Sequence, residues 1–144
     1  MKDFDLTGTY SHNMDTKGRL AMPASFRSYF GDRCVITVGF DKCLYAYSEE
    51  DWEKTVDKLN QLPSGNKNAR AVVRALTGYK KTVEFDSQGR IILAPNQIKH
   101  ADIKKECCIV GVGSKVEIWS KELFEPMDEE TMENLSDLIE ELDF

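Results

Sequence analysis

The feature that most limits what this chain can fold into is an internal duplication. Residues 15–20, Asp-Thr-Lys-Gly-Arg-Leu, recur as residues 86–91, Asp-Ser-Gln-Gly-Arg-Ile, at an offset of 71. Beyond the arginines the offset reads as 72. Val35-Ile36-Thr37-Val38-Gly39 then aligns with Cys107-Cys108-Ile109-Val110-Gly111, and Tyr47-Ser48-Glu49-Glu50-Asp51-Trp52 with Trp119-Ser120-Lys121-Glu122-Leu123-Phe124. Matching landmarks in the same order are hard to obtain by chance, and a repeated unit has to be identified before any other assignment. A chain of 144 residues holds one compact domain or two small fused units, and the repeat selects the second.

Each copy reads as strand, tight turn, strand, short helix, hairpin and helix. In the first, Thr9 to Met14 is extended and Asp15-Thr16-Lys17-Gly18 forms a type I turn, with Gly18 free to take positive φ in a bulge. Arg19 to Met22 is the returning strand, and Pro23 fits the first position of a short helix reaching Phe30. Cys34 to Gly39 and Leu44 to Tyr47 are β-rich runs, and Ser48 caps a helix running to about Leu62. The second copy begins near Lys81, and Ser120 caps its final helix. There Pro95 stands one residue later than Pro23 in the first copy, which leaves the helix entry open and allows the two hairpins to be non-equivalent.

Between the copies, Pro63-Ser64-Gly65-Asn66 is a break. Ala69, Val72, Val73 and Leu76 follow at the spacing of one helical face, with Arg70 and Arg74 on another face, read as solvated or as a subunit contact. In the tail, Met132, Leu135, Leu138, Ile139 and Leu142 also fall at helical spacing, opposite an acidic face, and are expected to pack on a neighbouring element or subunit.

The net charge is −6, but it is unevenly spread. Residues 121–144 carry ten acidic groups and one lysine, so the remaining 120 residues are mildly basic at +3. That permits phosphate contact without requiring it. No apolar run reaches the ~20 residues of a membrane helix, and Met1–Asp5 lacks the apolar core of a secretory signal. A cytoplasmic protein is expected. Cys34, Cys43, Cys107 and Cys108 form no CxxC pair and read as buried thiols, and the two histidines, His12 and His100, do not complete a metal site. No metal, cofactor or small-molecule substrate is expected. Trp52 and Phe124, and Tyr47 and Trp119, hold equivalent positions and read as core aromatics.

The candidate functional residues lie in the duplicated Asp-x-x-Gly-Arg motif. It places Arg19 and Arg90 directly after the two turns, with Lys17 and Gln88 at equivalent tip positions. A guanidinium can contact guanine O6 and N7 in the major groove or clamp phosphate oxygens, and a two-stranded ribbon is narrow enough to enter that groove. Asp15, Gly18, Asp86 and Gly89 are turn residues, with the aspartates hydrogen-bonding the loop backbone and orienting the arginines. A single copy needs no more than a turn and a salt-bridged arginine. Its recurrence with arginine in the same place favours DNA contact. No nucleophile–base pair recurs and no glycine-rich phosphate loop is present, so an enzyme is not expected.

Asp15-Thr-Lys-Gly-Arg-Leu-Ala-Met-Pro-Ala-Ser-Phe-Arg27, Val38-Gly-Phe-Asp-Lys-Cys-Leu44, Asn68-Ala-Arg70, Asp86-Ser-Gln-Gly-Arg90 and Glu117-Ile-Trp-Ser-Lys121 together resemble the MraZ family of bacterial transcription regulators, over nearly the full chain. The resemblance implies an α+β fold: two tandem AbrB-like units forming an intrachain pseudo-dimeric swapped-hairpin β-barrel flanked by helices. It maps the family's Asp-x-x-x-Arg signature onto Asp15/Arg19 and Asp86/Arg90. It further implies a nucleoid-associated, ring-shaped homo-oligomer that binds G-rich direct repeats in double-stranded promoter DNA and generally represses its own division and cell-wall operon. The expected division is residues 7–53 and 79–123 as the two units, 54–78 as a helical linker and 124–144 as an acidic C-terminal helix. The alternative is a protein-binding, antitoxin-like module of the same fold.

Overall fold

The computed structural model describes residues 6–144, and Met1–Asp5, read above for a secretory signal, lie outside them. The first copy supplies β1 (Leu6–Asn13), β2 (Arg19–Ala21), α1 (Ala24–Phe30), β3 (Arg33–Val38), β4 (Leu44–Tyr47) and α2 (Glu49–Asn60), and then α3 (Lys67–Gly78) follows. The second supplies β5 (Lys81–Glu84), β6 (Arg90–Ile92), α4 (Pro95–Ala101), β7 (Glu106–Gly113), β8 (Val116–Ser120), α5 (Lys121–Glu133) and α6 (Leu135–Glu141). The fold is α+β, with antiparallel pairing throughout.

The two copies exchange strands. β1 pairs with β7 of the second copy, and β5 pairs with β3 of the first. A six-stranded sheet results, in the order β1-β7-β8-β4-β3-β5, beside a two-stranded ribbon of β2 and β6. In the ribbon Leu20 faces Ile91, and in the sheet Tyr45 faces Glu117. Each pair joins equivalent residues of the two copies. Antiparallel pairing of equivalents demands a local two-fold axis between them, so a pseudo-dyad runs through both pairs.

Three expectations are corrected. The six-stranded sheet is open, with β1 and β5 at its edges, rather than a closed barrel. The turns do not close two-stranded hairpins: after each turn the flanking strands part, and the ribbon forms between copies. The third reading to change is the alignment. Arg33↔Glu84 recurs as Glu106↔Asn13 and Ile36↔Ala46 as Ile109↔Ile118, so β3 and β7 correspond at an offset of 73. The second copy gains residues before β7 and loses one in the following hairpin. Similar apolar residues on both sides of that slip made an offset of 72 look equally good.

Helix entries also differ. Pro23 is the residue before α1, while Pro95 is the first residue of α4, and Ala94 takes Pro23's place. Where Phe26 fills the core in the first copy, Gln97 is wholly buried in the second. Its amide nitrogen donates to the carbonyls of Ile36 (3.1 Å) and Tyr79 (2.9 Å), and its oxygen accepts from the Ala94 N–H. A buried amide is tolerated because its hydrogen bonds are made.

The core lies on the dyad. Leu20 and Met22 alternate with Arg19 and Ala21, and Ile91 and Leu93 with Arg90 and Ile92, so one face of the ribbon is buried and the other is not. Phe26, Ile36, Leu44, Ile109 and Ile118 are among the side chains buried with it. Each such side chain contributes about 1.5–3 kcal/mol by leaving water. The expected core aromatics are buried in matching pairs, Tyr47 with Trp52 (ring centroids 5.6 Å apart) and Trp119 with Phe124 (5.8 Å).

Ser48 caps α2, its Oγ accepting from Asp51 N–H at 3.0 Å, whereas Ser120 stands at the start of α5 without a side-chain cap bond. Asn66 caps α3 through Asn68 and Ala69 N–H. The acidic tail is two helices, with the break at Asn134.

Candidate nucleic-acid interface

Each Asp-x-x-Gly-Arg turn is held by its own aspartate. Gly18 N–H donates to the Asp15 carbonyl (3.1 Å) and Asp15 N–H to the Arg19 carbonyl (2.9 Å), a four-residue turn ending in Gly18 at φ 82°. Asp15 Oδ1 accepts from the backbone N–H of Lys17 (2.9 Å) and Arg19 (2.8 Å), while Oδ2 accepts from Arg19 Nε (2.7 Å). The second copy repeats every bond. Asp86 Oδ1 accepts from Gln88 and Arg90 N–H (2.9 Å each) and Oδ2 from Arg90 Nε (2.9 Å), with Gly89 at φ 74°. Both carboxyls are held below the usual carboxylate range, chiefly by the backbone N–H of the arginine four residues on.

The chemistry of this unit follows from its division of labour. One carboxylate oxygen fixes the loop and the other fixes the guanidinium through Nε, outside which lie the two terminal nitrogens that could engage a ligand. An exposed ion pair of this kind is worth little in stability. Its effect is orientation.

The ribbon brings the two units together. In its register Arg19 lies opposite Ile92 and Arg90 opposite Ala21, so both arginines flank the central Leu20–Ile91 pair on the outward face. Arg90 Nη1 comes within 3.7 Å of Asp15 Oδ2, an ion pair between copies. Lys17 and Gln88 are exposed at the two turn tips. The turns are also tied to the opposite copy, Leu93 N–H donating to the Gly18 carbonyl (2.8 Å) and Met22 N–H to that of Gly89 (3.1 Å).

One residue escaped the sequence reading as a site residue. Arg27 of α1 donates through Nη1 to the Met22 carbonyl (2.6 Å) and lies against the second turn, where a Cβ on Gly89 would come within 2.6 Å of the same nitrogen. At the equivalent place beside Gly18 stands Ile98. The difference between Arg27 and Ile98 is visible in the sequence, but that each lies over the other copy's turn depends on the strand exchange. The two turns therefore differ: one is backed by a cation, the other by an alkyl chain.

Other reactive groups lie elsewhere. All four cysteines are buried and free, and burial pushes the thiols of Cys34 and Cys43 up to about 12 and that of Cys107 to about 11. His12 lies on β1, and His100 meets the Asp41 carbonyl at 3.2 Å. Among the described residues no helix is long and apolar enough to cross a membrane.

A family model described as "MraZ protein, putative antitoxin-like" matches residues 6–75 and again residues 77–143. The duplication is thus recognised twice over. The chain belongs to the MraZ family. It is 44% identical over 135 residues to the transcriptional regulator MraZ of Pediococcus pentosaceus, covering 94% of each chain. It is 43% identical over 136 residues to that of Lactobacillus delbrueckii subsp. bulgaricus, covering 94% of this chain and 95% of the relative. The MraZ of Thermoanaerobacter pseudethanolicus is 43% identical over 138 residues, with 96% of each chain covered. These relatives are named as transcription regulators, and MraZ is a family of regulators rather than of enzymes.

Proposed function

We propose that this chain regulates transcription by binding duplex DNA with the outward face of its β2–β6 ribbon and the two turns beside it. The observation that carries the reading is the pairing of Arg19 with Arg90 across the dyad, each oriented by its own aspartate. Guanidinium groups held this way suit bidentate contact with guanine, while Lys17 and Gln88 at the tips supply charge and hydrogen bonds to phosphate or base edges. Asp15, Gly18, Asp86 and Gly89 set the geometry without touching DNA. The strand exchange supports reading the fold as a swapped-hairpin, AbrB-like pseudo-dimer, for which the turns are the presented surface.

The proposal extends to the target and the assembly. Arginine pairs suit G-rich sites, and direct repeats suit a homo-oligomer, a ring in this reading, that presents several pairs at once and gains avidity from weak single contacts. On this reading the protein acts at the nucleoid and represses its own division and cell-wall operon. Protection footprinting on the DNA upstream of its gene tests it. Protected, regularly spaced G-rich repeats are expected, and uniform cleavage at saturating protein would refute it.

The antitoxin-like wording of the family description favours a second reading, a module that sequesters a protein partner. Stoichiometric co-purification of one partner, with no mobility shift on the upstream DNA, would select it.

A further inference from the structure

The outward face of the β2–β6 ribbon carries Arg19, Ala21, Arg90 and Ile92, and Ile92 is 53% exposed. A lone isoleucine at the surface needs no explanation in general. Its place is what matters here. Ile91 and Leu93, on either side of it in the chain, are buried, so the pleat of the strand turns Ile92 outward. In the register it stands directly opposite Arg19.

Opposed side chains of an antiparallel pair start ~4.5–5.5 Å apart at Cβ. Successive bases of a DNA strand are about 3.4 Å apart. A guanidinium seated on guanine O6 and N7 therefore sets the side chain opposite it over an adjacent base pair. Arg19 is held for such a contact, its Nε fixed on Asp15 Oδ2 at 2.7 Å. In the major groove only thymine presents a methyl group. Over the amino group of adenine or cytosine, the same isoleucine would strip away water and return no hydrogen bond.

The other end of the ribbon is built differently. Opposite Arg90 stands Ala21, beside a groove lined also by Tyr10, His12 and Arg27. The Arg27 guanidinium lies against Gly89, whereas the Ile98 side chain lies against Gly18. Arg19 thus has an alkyl surface next to it, and Arg90 a polar, cationic one.

We propose that Ile92 is a specificity-determining residue, its side chain packing on the C5 methyl of a thymine next to the guanine that Arg19 engages. Ala21 is too short to repeat that contact beside Arg90, so the two ends of the ribbon read different bases. This rests on the DNA reading above and adds a base to it.

The test is an anisotropy titration of the full chain on duplex from upstream of its gene, made once with thymine and once with deoxyuridine throughout. Deoxyuridine lacks the methyl and keeps every hydrogen-bonding group. The wild type is expected to bind the uridine duplex at least about fourfold more weakly, the factor for burying one methyl-sized group. Ile92→Ala is expected to weaken binding to the thymine duplex by a similar factor and to bind both duplexes alike, while Ile92→Val keeps the preference. The side chain is exposed, so folding is not at stake, and circular dichroism checks it. Equal affinity of the wild type for the two duplexes would overturn the proposal and spare the DNA reading. So would a uridine penalty that Ile92→Ala retains in full, because it would then belong to duplex shape. A wild type that binds neither duplex would overturn the DNA reading and this contact with it.

Discussion

Asp15 and Asp86 divide their work between two oxygens, one for the loop and one for the arginine, and that division was half legible. An Asp-x-x-Gly-Arg string announces a turn with an aspartate bound to its own backbone, because few other residues both accept such bonds and precede a glycine at positive φ. The Nε contact and the approach of Arg27 to Gly89 were not legible, since both need coordinates. The carboxyls lie below their ordinary value in the folded state, so they contribute stability that is complete above the unfolded value and lost as pH falls through the folded one. Melting temperature is therefore expected to hold as pH falls towards about 4 and to decline below it. Carboxyl-carbon NMR titration checks the sign directly. Midpoints at or above the ordinary aspartate value would contradict the account.

At the scale of elements, most strands and helices of the first copy were readable almost to their ends, because each carries its own periodicity or cap, but β1 begins at Leu6, three residues before the expected Thr9. Their partners were not. β2 is only three residues long, and nothing local in Arg19–Ala21 says that it pairs with its own counterpart rather than with β1. The alternation of Leu20 and Met22 with Arg19 and Ala21 gives a buried face but not what covers it. Because Leu20 and Ile91 meet on the dyad with no exposed surface to speak of, truncating either leaves a cavity. Leu20→Ala and Ile91→Ala are each expected to cost about 2–5 kcal/mol in urea unfolding. Losses within ~0.5 kcal/mol, typical of surface sites, would show that the ribbon is not part of the core.

For the whole molecule, the duplication predicted two units, and the register shows that neither unit is complete alone. β1 has its partner in residues 106–113, and β3, paired on one edge with β4, has its other partner in residues 81–84. A chain ending at Gly78 leaves β1, β2 and one edge of β3 unpaired, so it is expected to be unfolded or to dimerise by exchanging β1. Co-expressing residues 1–78 with residues 79–144 is expected to yield one folded complex. A stable folded monomer of the first half, by sedimentation and amide-exchange protection, would contradict the exchanged topology. The same exchange is what places two oriented guanidiniums side by side, so the account rests on what they do. The most direct test is an anisotropy titration of duplex from upstream of the gene, with wild type, Arg19→Ala and Arg90→Ala compared at one salt concentration. Each variant, folded by circular dichroism, is expected to lose about 1–3 kcal/mol of binding to the specific site. Folded variants that both bind as tightly as the wild type would contradict it.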